Sequence, residues 1–179
     1  QLGAEVILIS GPTWLEPPPG VYLERVTEAV EMKEAVLRHY ARAEVVLMAA
    51  AVADFRFRRT RPEKIRKAEI ERALEIEATP DILEELGRHK GQQLLVGFAA
   101  ETGQAVEKAL EKMKRKQVDL MVANDVSQPG VGFASNENEV VLLWPDGRSR
   151  KIPRTSKRKI SQEILAEVEV LLNERKGKS

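Results

Sequence analysis

Four short apolar runs recur along the chain, and stretches with helical spacing separate them. They are Val6-Ile7-Leu8-Ile9-Ser10, Val45-Val46-Leu47-Met48, Leu94-Leu95-Val96-Gly97-Phe98-Ala99-Ala100 and Val118-Asp119-Leu120-Met121-Val122-Ala123. Strands covered on both faces read in this way. Their alternation with helical patterns predicts an α/β domain built on a parallel sheet, with helices on both faces. Between the first two runs, Val30, Val36, Leu37 and Tyr40 follow helical spacing, which gives a β-α-β order.

The second run is the most informative. Ala49-Ala50-Ala51-Val52-Ala53 thins to very small side chains, and Asp54 is the first charge. In an open α/β sheet the carboxyl ends of the strands are where ligands bind. Seven cations follow between Phe55 and Lys67, in a loop that Pro62 keeps from becoming one helix. A flat site beneath a cationic loop fits a nucleotide or another polyanion. A close-packed strand end beside a solvated charged loop fits equally well, and both readings stay open at this point.

Composition narrows the classes. Lys and Arg nearly balance Asp and Glu at net +1, unlike the strongly basic balance of a general nucleic-acid binder. Cysteine is absent, which excludes disulfides, thiolate metal sites and a cysteine nucleophile. No run of about 20 apolar residues spans a membrane and no signal peptide is visible, so the expectation is cytoplasmic. At 179 residues the chain fits one domain, residues 1–179. Gln1-Leu2-Gly3-Ala4 reads as the tail of a missing helix, so the chain reads as a piece of something longer.

Beyond the basic loop, Leu74, Ile76 and Ala78 alternate with Glu75 and Glu77, as in a half-exposed strand. Thr79-Pro80-Asp81 predicts a helix start, with Thr79 capping and Pro80 at the first helical position. Val106, Ala109, Leu110 and Met113 form the stripe of a further helix. Val140 to Trp144, the turn Pro145-Asp146-Gly147 and the return to Ile152 read as an antiparallel hairpin, an extension over about 133–152 that lies outside the parallel sheet. Ser156 caps a last helix with Ile160, Ile164, Leu165, Val168, Leu171 and Leu172 inside.

The strand ends Gly11-Pro12, Ala50 to Asp54, Phe98 to Thr102 and Asn124-Asp125 should converge on one rim. A dinucleotide fingerprint is missing: Gly130-Val131-Gly132 runs into Phe133-Ala134-Ser135 in a loop, and no Walker A motif is present. His39 and His89 have no paired nucleophile. Lys108, Lys112 and Lys116 repeat every fourth residue, so they line one edge of their helix. They read either as cations reaching toward a site or as a solvated face paired with Glu107 and Glu111.

Taken in order, Ile9-Ser10-Gly11-Pro12, Ala49 to Asp54, Lys64-Ile65-Arg66-Lys67, Thr79-Pro80-Asp81-Ile82-Leu83, Val96 to Thr102 and Val122 to Val126 resemble the phosphopantothenate–cysteine ligase family. This is the ligase half of the bifunctional bacterial coenzyme A biosynthesis flavoprotein, and the likeness covers nearly the whole chain. The resemblance implies a Rossmann-like core, a homodimer, and a flavin-dependent decarboxylase domain as fusion or partner. Val141, Leu143 and Trp144 form more apolar surface than a lone hairpin can hide, so the hairpin is expected to pair with its counterpart in that dimer. The resemblance also implies CTP as co-substrate with Mg2+, and 4′-phosphopantothenate and L-cysteine as substrates. By position it places Met48, Ala49, Ala50, Asp54, Lys64, Pro80, Asp81, Ile82, Leu83, Phe98, Lys112 and Lys116 around CTP, with Lys64 as the catalytic cation.

Family members carry an upstream strand and glycine-rich loop that are not present before Gln1. A piece that catalyses nothing alone is therefore one expectation. A pyridine-nucleotide reductase and a non-catalytic dimerising domain are the competing classes.

Overall fold

A computed structural model describes residues 3–58, 75–101, 105–125 and 135–177. They form two compact units: residues 1–41 with 50–82, and residues 42–49 with 83–179.

In the first unit, β1 (Ile7–Ser10) pairs in parallel with β2 (Tyr22–Arg25). Tyr22 N donates to Val6 O at 2.9 Å and Val26 N to Ser10 O at 3.0 Å, closing both ends of this ladder. Ile7–Ser10 is thus half-buried in a two-stranded ribbon, with Val6 exposed before it, where the sequence predicts a strand of the main sheet. Helix α1 (Ala29–Tyr40) begins at a Glu28–Glu31 capping box and buries Met32, Ala35, Val36 and Tyr40. The start of the basic loop is a strand: β4 (Phe55–Phe57) pairs antiparallel with β5 (Ile76–Ala78). Ile76 in β5 is exposed and Glu77 is the half-buried residue, the reverse of the expected alternation. A ribbon of two strands covers neither of its faces, and Glu77 instead pairs with Arg56 across it at 2.7 Å.

The second unit carries a five-stranded sheet in the order β3-β6-β7-β8-β9. β3 (Val45–Met48), β6 (Leu94–Glu101) and β7 (Leu120–Asp125) are parallel, as predicted. β3 lies at one edge, and so it is half-buried with Leu47 exposed. The hairpin, β8 (Glu137–Leu143) and β9 (Ser149–Ser156), corrects the expectation that it stands apart. β8 pairs antiparallel with β7 through Met121–Leu143, Val122–Leu142 and Ala123–Val141, so the hairpin continues the sheet. Apolar packing explains this: Val140, Leu142, Leu143 and Trp144 are all buried within the chain itself. The turn forms as read, with Gly147 at φ +90° and its N–H donating to Trp144 O at 3.0 Å. The outer strand β9 contains Pro153, opposite an irregularity in β8 between Asn138 and Val140.

Helices α2 (Ile82–Arg88), α3 (Ala105–Lys116) and α4 (Lys157–Lys176) complete this unit. Ser156 caps α4, accepting from Lys159 N at 3.2 Å. Ile160, Ile164 and Val168 of α4 pack on Leu94, Val96, Leu120, Val122 and Leu142, with Leu171 and Leu172 partly buried beside them. Leu165, expected inside, is exposed. The other face of the sheet receives α2: a Cβ on Gly97 would meet Leu83 Cδ2 at 2.9 Å and Met121 Sδ at 3.1 Å. No described helix is long and apolar enough to cross a membrane.

Candidate functional site

The rim of the second unit is shaped by unequal strand lengths. The β3 ladder ends at Met48–Gly97, while β6 runs on through Phe98, Ala99, Ala100 and Glu101 paired with β7. Beyond Met48 the last four residues of β6 therefore have no pairing to β3. Ala49 follows directly and is exposed. Met48 is half-buried and the exposed Ala49 carries only a methyl group, so little side chain stands over the main chain after the strand end.

Side-chain alternation divides the rim into two faces. Phe98 follows Leu94 and Val96 on the face that α4 covers, yet it is 38% exposed. Glu101 follows Leu95, Gly97 and Ala99 on the opposite face, with Asp125 as its register partner on β7. From α3, Lys112 reaches this second face and donates to Glu101 Oε1 at 2.5 Å. Phe98 and Lys112 thus approach from opposite faces, around the end of one strand. A ligand touching both lies across the strand ends.

Lys112 and Lys116 share an edge of α3, but Lys116 lies one turn, about 5–6 Å, further along it. Of the two, the structure joins Lys112 to the rim. Leu83 is buried, with its side chain against the sheet at Gly97. Glu101 was not singled out by sequence reasoning. The available signal was its position as the first charge after an apolar run, the same signal that marks Asp54.

In the first unit, Asp54 and Ala50 are exposed. The Asp54 carboxylate has no partner among the described residues, while its main-chain oxygen accepts from Thr79 N at 3.0 Å. The Thr79 hydroxyl donates to Ala53 O, so it ties β5 to the strand-end segment and does not cap a helix. Helix α2 starts at Ile82, two residues later than the sequence predicts; Pro80 and Asp81 precede it and Ile82 is buried. Lys64 lies outside the described residues, as do Arg61, Pro62, Arg66 and Lys67.

Among the described residues no group of three His, Cys, Asp or Glu is placed to hold a metal ion. A cavity of about 260 Å³ beside Leu94, Asp119, Trp144 and Arg175 lies at the other ends of β6 and β7 from the rim. Asp119 in its lining accepts from Arg175 at 2.5 Å and, from outside the lining, from Lys90 at 3.1 Å and Leu95 N at 2.8 Å.

The sequence matches the DNA/pantothenate metabolism flavoprotein C-terminal domain family over residues 1–171. The coenzyme A biosynthesis bifunctional protein CoaBC of Bacillus subtilis (strain 168) is 45% identical over 172 residues, 96% of this chain and 42% of that protein. Its Escherichia coli (strain K12) counterpart is 39% identical over 170 residues, 93% of this chain and 42% of that protein. The chain therefore spans about two-fifths of the length of these relatives. A crystal structure of the C-terminal domain of CoaBC superposes with a TM-score of 0.81 at 39% identity, covering 97% of this chain and 77% of that one. A Cab2 mutant in complex with phosphopantothenate-cysteine shares the fold, with a TM-score of 0.70 at 17% identity, over 89% of this chain and 55% of that one. With sheet and sequence in agreement, the chain belongs to the DNA/pantothenate metabolism flavoprotein C-terminal domain family.

Proposed function

We propose that this chain is the ligase portion of a protein that joins 4′-phosphopantothenate to L-cysteine with CTP. One observation carries the reading: β6 overruns β3 at a small-residue strand end, where Lys112 of α3 is delivered to the rim. The match to CoaBC relatives supports it.

In this reaction a carboxylate oxygen of phosphopantothenate attacks the α-phosphorus of CTP. The bond to the bridging oxygen breaks and pyrophosphate leaves. The amine of cysteine then attacks the acyl carbon, loses a proton, and CMP departs. The main chain at Met48 and Ala49 suits the nucleoside, and Asp54 suits a ribose hydroxyl or the cytosine amino group. Pro80, Asp81, Ile82 and Leu83 supply main-chain contact, and Phe98 an apolar ring. Lys64, Lys112 and Lys116 stabilise the charge that grows on the phosphates. Mg2+ supplies further neutralisation there. Bound there, it would be held chiefly by phosphate oxygens and water, as Mg2+ usually is in nucleotide sites.

The remaining parts of the proposal are a cytoplasmic homodimer and a covalently joined or associated flavin-dependent decarboxylase domain. Val140, Leu142, Leu143 and Trp144 are already covered within one chain and Val141 is half-buried, so the family resemblance is the main support for the dimer. Sedimentation at micromolar concentration tests it, and a monomer counts against it.

The test of function is pyrophosphate release by the full-length protein on adding CTP and phosphopantothenate, followed by cysteine-dependent CMP release. Binding of NADPH without CTP would favour a reductase. Binding of neither would favour an interaction domain.

A further inference from the structure

Glu101 ends β6 with its side chain only 12% exposed, and its single ion-pair partner among the described residues is Lys112, 44% exposed. A lysine ammonium has three N–H donors. One is given to Glu101, which leaves the others for a ligand at the rim. An acid so close to a phosphate site is electrostatically unfavourable for binding, and it masks one of the cations assigned to that site. Asp125, its register partner on β7, places a second acid on the same face.

We propose that Glu101 is a positioning residue that competes with polyphosphate for Lys112. It holds the ammonium at the rim in the empty site and yields it to the more highly charged triphosphate. When pyrophosphate leaves, it takes the ammonium back. The ladder to β7 holds its backbone at the strand end, within reach of Lys112. The cost of displacing Glu101 is common to both ligands, so CTP, with its further contacts, overcomes it more readily than the departing pyrophosphate does. The inference rests on the ligase reading above. The alternative is a plain structural tie between α3 and β6, whose loss would lower stability and leave polyphosphate affinity unmoved.

The experiment is calorimetric titration of full-length protein with CTP, pyrophosphate and CMP, for wild type, Glu101→Gln, Lys112→Gln and the double variant. Glu101→Gln is expected to tighten pyrophosphate binding about tenfold and CMP binding less than about twofold. In the Lys112→Gln background the same change is expected to have almost no effect, the signature of coupling through that lysine. Unchanged or weaker pyrophosphate binding overturns the proposal, as does equal tightening without Lys112. If Glu101→Gln does not fold, Glu101→Asp decides. Its shorter reach is expected to lower the pyrophosphate inhibition constant about threefold, and no change overturns the proposal. A wild type that binds neither CTP nor pyrophosphate removes the ligase reading and this inference together. A wild type that binds both, with Glu101→Gln indistinguishable from it, removes this inference alone.

Discussion

The main-chain oxygen of Lys116 occupies the space that a β-carbon on residue 87 would need: a Cβ built on Gly87 would lie 2.1 Å from it. Gly87 is inside α2 and Lys116 ends α3, so the two helices meet there backbone to backbone. Gly87→Ala is expected to destabilise the protein by about 2–4 kcal/mol, because no side chain can move aside to relieve the overlap. Gly97→Ala meets only the ends of Leu83 and Met121, which can give, and is expected to cost about 1–2 kcal/mol. Denaturant unfolding of the two variants checks the order.

Asp119 is a junction for three donors, from Arg175, Lys90 and Leu95 N. Arg175 also donates to the Gln92 and Gln93 carbonyls at 2.7 and 2.8 Å, which pins the end of α4 to the start of β6. Asp119→Ala is expected to destabilise by about 2–4 kcal/mol, since it strands charged and main-chain donors together. Thermal melting measures the loss, and faster amide exchange at Leu95 locates it.

Asp54 is exposed and contributes little to folding, so its substitution isolates binding. Asp54→Asn is expected to weaken CTP binding by about 1–3 kcal/mol, the scale of a charged hydrogen bond, with the melting temperature unmoved. Titration calorimetry on full-length protein decides this, and unchanged affinity would sink it.

Lys64 follows from family position alone. Lys64→Gln is expected to slow pyrophosphate release in a single turnover by about 10²–10³, while CTP binding falls much less. Arg66→Gln and Lys67→Gln are the controls. Equal small losses in all three would make this stretch a run of interchangeable cations.

Glu24 of β2 accepts from His39 Nε2 at 2.8 Å and from Arg38, and the hydrogen bond to His39, then that to Arg38, lowers its pKa below the ordinary glutamate value. A carboxyl depressed in the folded state stabilises above its unfolded value, about 4.3, and that stabilisation is lost as pH falls through the lower folded value. The difference in melting temperature between wild type and Glu24→Gln is therefore expected to be full at pH 6 and to vanish toward pH 2. An NMR titration of the Glu24 carboxyl checks the direction.

Local chemistry was legible in the sequence. The runs at Val45, Leu94 and Leu120 are parallel strands, the Pro145-Asp146-Gly147 turn closes a hairpin, and Ser156 caps α4. Which strand lies beside which was not legible. Val6–Ser10 pairs with Tyr22–Arg25, and β8 joins β7 antiparallel, because pairing depends on partners distant in sequence. Lys112 could be placed on the correct edge of its helix from spacing alone. Its partner Glu101 could not, since the contact depends on how α3 lies against β6. Nothing in the local sequence marks Gly87; only the approach of the second backbone explains it.

The outer strand of the sheet bears on how copies of this chain meet one another. An unpaired strand is a template for fibrillar growth, and β9 presents Pro153, which lacks an N–H, among Arg150, Lys151 and Arg154, each with a carboxylate partner. An approaching strand finds a broken row of donors and a line of charge. Accumulation of misassembled aggregate through this edge is thereby disfavoured. Replacing Pro153 and its basic neighbours by alternating Thr and Val would remove both obstacles, and would turn a quiet edge into a nucleus for deposits.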